Sequence, residues 1–242
     1  MTSKSIAAAA GLLLLTGAVN AAELKVLSTQ ATEQAYRDLV PQFEKASGHK
    51  VTTIFTGTLD ADKRLAAGET YDMIIMSSSS IDGHIKDGKL AAGSRVDLAK
   101  SGVAVGVKAG SPKPDISSVE ALKKTILSAK SIGYSTGPSG VYIISLFEKL
   151  GVADAVKSKL KQTPTGVFVG SIVASGEVEL GFQQVSELSH FAGVDYVGPL
   201  PEAVQRYTVF SSGIIAGAKE ADAAKTLVRF LTAPAAAPSF KK

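Results

Sequence analysis

Ser131-Ile132-Gly133-Tyr134-Ser135-Thr136-Gly137-Pro138-Ser139-Gly140-Val141-Tyr142-Ile143-Ile144 is the stretch on which the reading of this chain turns. Residues 131–134 read as a short strand, and six small residues then lead into an apolar run with helical spacing. A strand that turns through glycines into a helix leaves first-turn N–H groups unpaired at a positive dipole end. Small hydroxylated side chains beside them let an anion approach. Three hydroxyls and two glycines exceed what one N-cap requires, so the junction points to a small bound anion. No Lys stands at the spacing of a nucleotide P-loop. Thr136, Gly137, Ser139, Gly140 and Val141 are therefore candidate ligand contacts.

Upstream, Leu24-Lys25-Val26-Leu27-Ser28 reads as a strand, and residues 32–46 as a helix with Ala35, Leu39, Val40 and Phe43 on one face and Gly48 as its stop. A strand over 51–55, the loop Thr56-Gly57-Thr58 and a helix over 60–67 closed by Gly68 follow. Tyr71-Asp72-Met73-Ile74-Ile75-Met76 shows little alternation, as expected of a strand covered on both faces, and residues 77–80 precede the next helix. After a strand at 103–107, Gly110-Ser111-Pro112-Lys113-Pro114 opens a second region. There, helices are expected at 118–129, 141–150, 153–160 and 170–175, with strands at 131–134, 179–182 and 194–197. A strand over 207–216 heads back, and 221–232 forms a closing amphipathic helix.

The expected fold class is α/β and two-lobed, each lobe a mixed, mostly parallel sheet flanked by helices, with two crossing strands between them. Residues 23–104 plus 208–242 form one lobe and 105–207 the other. In open α/β sheets, ligands sit beyond the C-terminal ends of strands. Ser28, Thr29, Thr56, Gly57, Thr58, Ser77 and Ser78 stand at such ends; each alone reads as a cap, but their shared position favours a ligand role. Gln183 and Gln184 follow a strand directly, so alternation should send one into the cleft and the other away, with Gln184 preferred. Hinged closure around a small ligand follows. Arg64 pairs with Asp60 at the i,i+4 spacing, or else grips a carboxylate, which makes it the position that separates simple oxyanion from polycarboxylate readings.

Composition narrows the class. A chain of 242 residues, 45% hydrophobic, can bury a substantial core. Residues 1–22 read as a secretory signal with Lys4, an apolar stretch over 6–15 and small residues before cleavage, too short to span a bilayer. The absence of cysteine rules out thiol chemistry and disulfides. The net charge of +4 comes from scattered Lys and Arg without interleaved aromatics, which argues against nucleic-acid binding. His49, His84 and His190 are isolated and suit surface or helix-end roles, so no metal or cofactor is expected. No nucleophile elbow is legible. The chain stops at Phe240-Lys241-Lys242, directly after the closing helix, where a few more residues are expected.

Several landmarks match a known family in order and spacing. They are Leu24 to Ser28, Arg64-Leu65-Ala66-Ala67-Gly68 before Tyr71-Asp72-Met73-Ile74-Ile75, Leu150-Gly151-Val152, Val173-Ala174-Ser175-Gly176 with Gly181-Phe182, and Phe230-Leu231-Thr232. With these the mature chain resembles the periplasmic solute-binding proteins related to the molybdate-binding protein, of type II binding-protein fold. The resemblance implies a monomeric periplasmic carrier that holds an oxyanion with hydroxyls and backbone N–H groups and delivers it to an ABC-type permease. It gives roles to Ser28, Thr58 and residues 136–141. Where molybdate binders are expected to show a Tyr after the Gly-Phe pair, this chain has Gln183-Gln184-Val185-Ser186-Glu187, and paired amides suit a carboxylate as well as a tetrahedral oxyanion. Gly140-Val141-Tyr142, Gly181-Phe182-Gln183-Gln184 and residues 197–205 are also similar to the aconitate isomerase-like branch, which implies a cofactor-free allylic proton shift. For that reaction Glu187, Tyr134 and Tyr142 are the candidate bases.

Overall fold

The computed structural model describes residues 21–241, so all but the last two residues of the expected signal segment lie outside the described residues. The first half alternates strands and helices: β1 (Glu23–Thr29), α1 (Glu33–Ser47), β2 (Lys50–Thr56), α2 (Thr58–Ala66), β3 (Met73–Ser77) and α3 (Ser78–Lys86). Gly48 ends α1 in the left-handed region at φ 74°, where its N–H bonds to the Glu44 carbonyl. Strand β1 runs parallel to both β2 and β3. Leu24, Val26, Met73 and Ile75 pack on one face under α1 and the closing helix α9 (Ala221–Leu231), while Leu27, Ile74, Met76 and Ile81 pack on the other. Burial on both faces explains the unbroken apolar run of β3, all five residues of which are buried.

Strand β4 (Val96–Lys108) begins seven residues before the expected start. Its first half pairs antiparallel with β9 (Tyr207–Ile214), and its second half with β7 (Leu180–Gln184) and β8 (Val194–Pro199). The polar alternation of residues 96–101 hides this half-exposed stretch from a search for apolar runs. Strands β4 and β9 thus cross between two lobes, and the strand order is β2-β1-β3-β9-β4-β7-β5-β6, with β8 beside β4.

The second lobe holds α4 (Val119–Ser128), β5 (Ile132–Tyr134), α5 (Pro138–Lys149), α6 (Ala153–Val156), β6 (Leu160–Gln162), α7 (Val169–Ala174) and α8 (Val185–Leu188). Strand β5 runs parallel to β6 and β7, and Val105, Ile132, Phe147 and Phe182 centre the core. Phe147 and Phe182 meet edge to face at 5.8 Å. Three expectations need correction. The helix expected over 153–160 ends at Val156, and Leu160–Gln162 instead pairs in register with Ile132–Tyr134 as an edge strand. Helix α5 starts three residues early, so Pro138, Ser139 and Gly140 form its first turn, with Pro at N1 where its missing N–H costs nothing. Residues 78–80 likewise belong to α3, with Ser77 as its N-cap.

Candidate functional site

Two helices begin with a glycine N-cap and no capping side chain: Gly57 before α2 and Gly137 before α5. Each therefore leaves first-turn N–H groups without partners from the helix, at the positive end of its dipole. The two starts lie against each other across the cleft, because a Cβ built on Gly57 would stand 3.0 Å from the Thr136 hydroxyl. Gly140 has a different reason to be glycine. A Cβ there would lie 1.7 Å from the Ser135 carbonyl oxygen, so only glycine lets α5 sit so close to the end of β5.

Between these helix starts lies a small, partly open chamber of about 20 Å³. Thr29, Thr56, Gly57, Thr58, Thr136, Gly137, Ser139, Gln183 and Gln184 line it, so nine of the sequence candidates meet at one place. A vestibule of about 560 Å³ adjoins it and shares Thr58, Thr136, Gly137 and Pro138 with it; Ser77, Ser78 and Val141 stand on the vestibule wall. Gln30 Nε2 donates to the Gly166 carbonyl at 2.9 Å, linking the first half of the chain to the loop after β6.

Three candidates stand apart from both spaces. Ser28 is buried beside them, its hydroxyl 3.1 Å from that of Thr32. Gly140 acts through the close approach just described. The Arg64 guanidinium is held by Asp60 at 2.6 Å and by Glu69 at 3.2 Å, and it holds the Asp60 carboxyl below the usual carboxylate range. The i,i+4 pairing is thus what the fold uses, and the cation meant to separate ligand classes is not among the residues that line either space. Thr56 donates its hydroxyl proton to Asp60 at 2.9 Å, so toward a guest that oxygen can only accept.

The two glutamines both line the chamber, contrary to the expected alternation, because β7 ends at Gln184 and α8 begins at the next residue. Gln184, the residue preferred from sequence, is committed elsewhere. Oriented to satisfy its surroundings, its amide nitrogen donates to the Ser101 and Gly102 carbonyls, each at 3.1 Å, and its oxygen accepts from the Thr208 hydroxyl at 3.2 Å. It therefore ties the end of β7 to both crossing strands. Gln183 accepts from the Val169 N–H at 2.8 Å and donates to Glu187 at 2.9 Å, leaving one amide hydrogen for the chamber.

Glu187 also lines the chamber. Burial pushes its carboxyl up to about 8, and nearby Glu33 adds to the rise, against hydrogen bonds from the Gln184 backbone and the Gln183 amide. Near neutral pH it can therefore be present in both protonation states. The other candidate bases are placed otherwise. Tyr142 donates its hydroxyl to the Val204 carbonyl at 2.6 Å, and desolvation raises its pKa further, while Tyr134 lines neither space. His49 and His84 are buried at or near helix ends, where His49 accepts from the Ala22 N–H and His84 meets Asp62 at 2.9 Å. Among the described residues no group of three or more metal-ligating side chains converges.

A family model described as bacterial extracellular solute-binding protein matches residues 24–242. The chain belongs to that family. An aconitate isomerase from Pseudomonas sp. is 35% identical over 224 residues, covering 90% of this chain and 85% of the relative. The molybdate-binding protein ModA of Azotobacter vinelandii is 30% identical over 241 residues, covering 96% and 93%. Among solved structures, the Azotobacter vinelandii periplasmic molybdate-binding protein superposes with a TM-score of 0.74 at 21% identity, over 90% of this chain and 96% of that one, which establishes the fold. This solute-binding protein therefore has the two-lobed periplasmic binding-protein architecture expected from its sequence.

Sequence reasoning missed Lys149, Ser145, Arg206 and Thr208, all on the vestibule wall. A signal for the first two was present: Val141, Ser145 and Lys149 recur at i,i+4 along α5 and so share a face with the junction.

Proposed function

We propose that this solute-binding protein captures a small carboxylate-type anion in the cleft and releases it to an ABC-type permease in the periplasm, acting as a monomer after removal of residues 1–22. The observation that carries this reading is the pair of uncapped helix starts, at Gly57 and Gly137, meeting over one hydroxyl-lined chamber. Residues 23–104 with 208–242 would close against 105–207 as the guest enters. A thermal-shift panel of molybdate, tungstate, sulfate, citrate and both aconitates tests it. A bound anion at 100 times its dissociation constant adds about 2.7 kcal/mol. A shift with citrate or an aconitate supports the reading, and no shift with any of these carboxylates, whatever the inorganic oxyanions do, would remove it.

A second reading, a cofactor-free aconitate isomerase, is favoured by Glu187 on the chamber wall and by the Pseudomonas relative. An ionised Glu187 would take a proton from the carbon beside the double bond. The double bond then shifts, and the protonated acid returns the proton to the carbon at the other end, so nothing is consumed. Gln183 would hold the carboxyl in place throughout. Proton NMR of purified protein with trans-aconitate decides the matter: a changing isomer ratio supports catalysis, and a constant ratio at micromolar protein eliminates it on that substrate.

A further inference from the structure

We propose that the vestibule is a second anionic subsite, in which Arg206, with Lys149 adding positive potential from the far end of α5, holds a carboxylate separated by a carbon skeleton from the one in the chamber, so that the ligand is an organic di- or tricarboxylate. The proposal rests on the carboxylate reading above and extends it.

Charge is the first argument. Arg37, Arg64 and Arg95 each form an ion pair with a carboxylate, and Arg229 donates to the Thr226 hydroxyl. The Arg206 guanidinium and the Lys149 ammonium form no ion pair with any described residue, and they face one concavity that has no Asp or Glu among its lining residues. An anion entering this concavity therefore meets positive potential that no lining carboxylate opposes. A guanidinium can also grip a carboxylate through two parallel hydrogen bonds.

Shape is the second. The chamber alone, at about 20 Å³, is far smaller than the vestibule of about 560 Å³ that adjoins it. Pro138 lines both spaces, and Val141, three residues on, leaves 68% of its surface exposed on the vestibule wall. Val141 offers a carbon skeleton an apolar contact on a wall otherwise rich in hydroxyls, among them Thr58, Ser77, Ser145 and Thr208. Lys149 closes the far end of α5, about 16 Å from its start by the rise of the helix.

Arg206 is well anchored for this task. The Tyr142 hydroxyl holds the Val204 carbonyl at 2.6 Å, and Gln205 bridges to the Val103 N–H and carbonyl at 2.8 and 3.0 Å, which fixes the segment that carries Arg206 against α5 and β4.

Isothermal titration of the purified protein with tricarballylate (propane-1,2,3-tricarboxylate), acetate and molybdate tests the proposal. Tricarballylate should bind at least tenfold tighter than acetate. Arg206→Gln should weaken tricarballylate about tenfold, as expected for losing hydrogen bonds to a charged group. Lys149→Gln should weaken it by a smaller factor, and Lys45→Gln, an equal charge change on α1, should leave it as it was. Both cleft residues are exposed, so their variants keep the fold, which circular dichroism checks. Tricarballylate bound no tighter than acetate, or equally well by Arg206→Gln and the parent, overturns the second subsite while leaving the cleft reading in place. Failure of both tricarballylate and acetate to bind, whether or not molybdate binds, overturns the carboxylate reading itself, and the subsite with it.

Discussion

The chamber and the vestibule share a wall but recognise a guest by opposite means. Apart from Glu187, the chamber is lined by uncharged, mostly buried groups whose orientations are fixed by neighbours: Gln183 by Val169 and Glu187, Ser139 by Ser135, Thr56 by Asp60. The vestibule carries its charge on long, exposed side chains. Fixed dipoles in a small space bind without reorganising, whereas mobile charges in an open one steer and select. The difference teaches that grip and choice of ligand can be altered separately.

The largest effect should come from Gly140→Ala, which drives a methyl group into the Ser135 carbonyl. Forcing α5 away should cost about 3 kcal/mol in denaturant unfolding and abolish anion binding at the same time. An unaffected protein would mean that the chamber does not depend on that close approach. Next, Gly57→Val sits in extended backbone that any residue adopts, at φ −82°, but its side chain would press on Thr136 across the cleft. Titration should show anion affinity lower by about tenfold with little change in melting temperature, the mark of a hindered closure.

A smaller, pH-dependent effect belongs to Glu187→Gln. The native carboxyl is raised from 4.5 to about 8, so between those values the folded state binds more protons than the unfolded one. Its contribution to stability is therefore complete below about pH 4.5, falls as pH rises through that window and is flat above about 8. The Gln variant should lose this slope in a series of thermal melts. It should also keep its anion affinity above pH 8, where an ionised Glu187 repels the guest. The smallest effect is expected of Arg64→Ala, whose guanidinium meets Asp60 and Glu69 outside both spaces. Anion affinities should move by less than about twofold, and a selective loss of tricarboxylate binding would restore Arg64 to the site.

Much of this arrangement was legible in the residues themselves. Apolar runs with glycine stops located β1, α1 and β3, and the junction at 135–140 pointed to a helix start at the cleft. Strand β6 was not legible, because Leu160-Lys161-Gln162 is short, largely exposed and defined only by its pairing with Ile132–Tyr134. Gln183 and Gln184 both reach the chamber wall, because alternation holds only while a strand continues and α8 begins at once. Arg64 drew attention as the cation near a ligand loop, yet its local partner was already four residues away. Arg206 lacks such a partner, and only the crossing of β4 and β9 brings it over α5.

That crossing has a thermal consequence as well. Strand β4 runs unbroken from Val96 to Lys108 and belongs to both sheets, so fraying either lobe removes a strand on which the other depends. Heat should therefore dismantle the molecule in one cooperative event, with calorimetric and van't Hoff enthalpies equal, instead of melting its halves in turn.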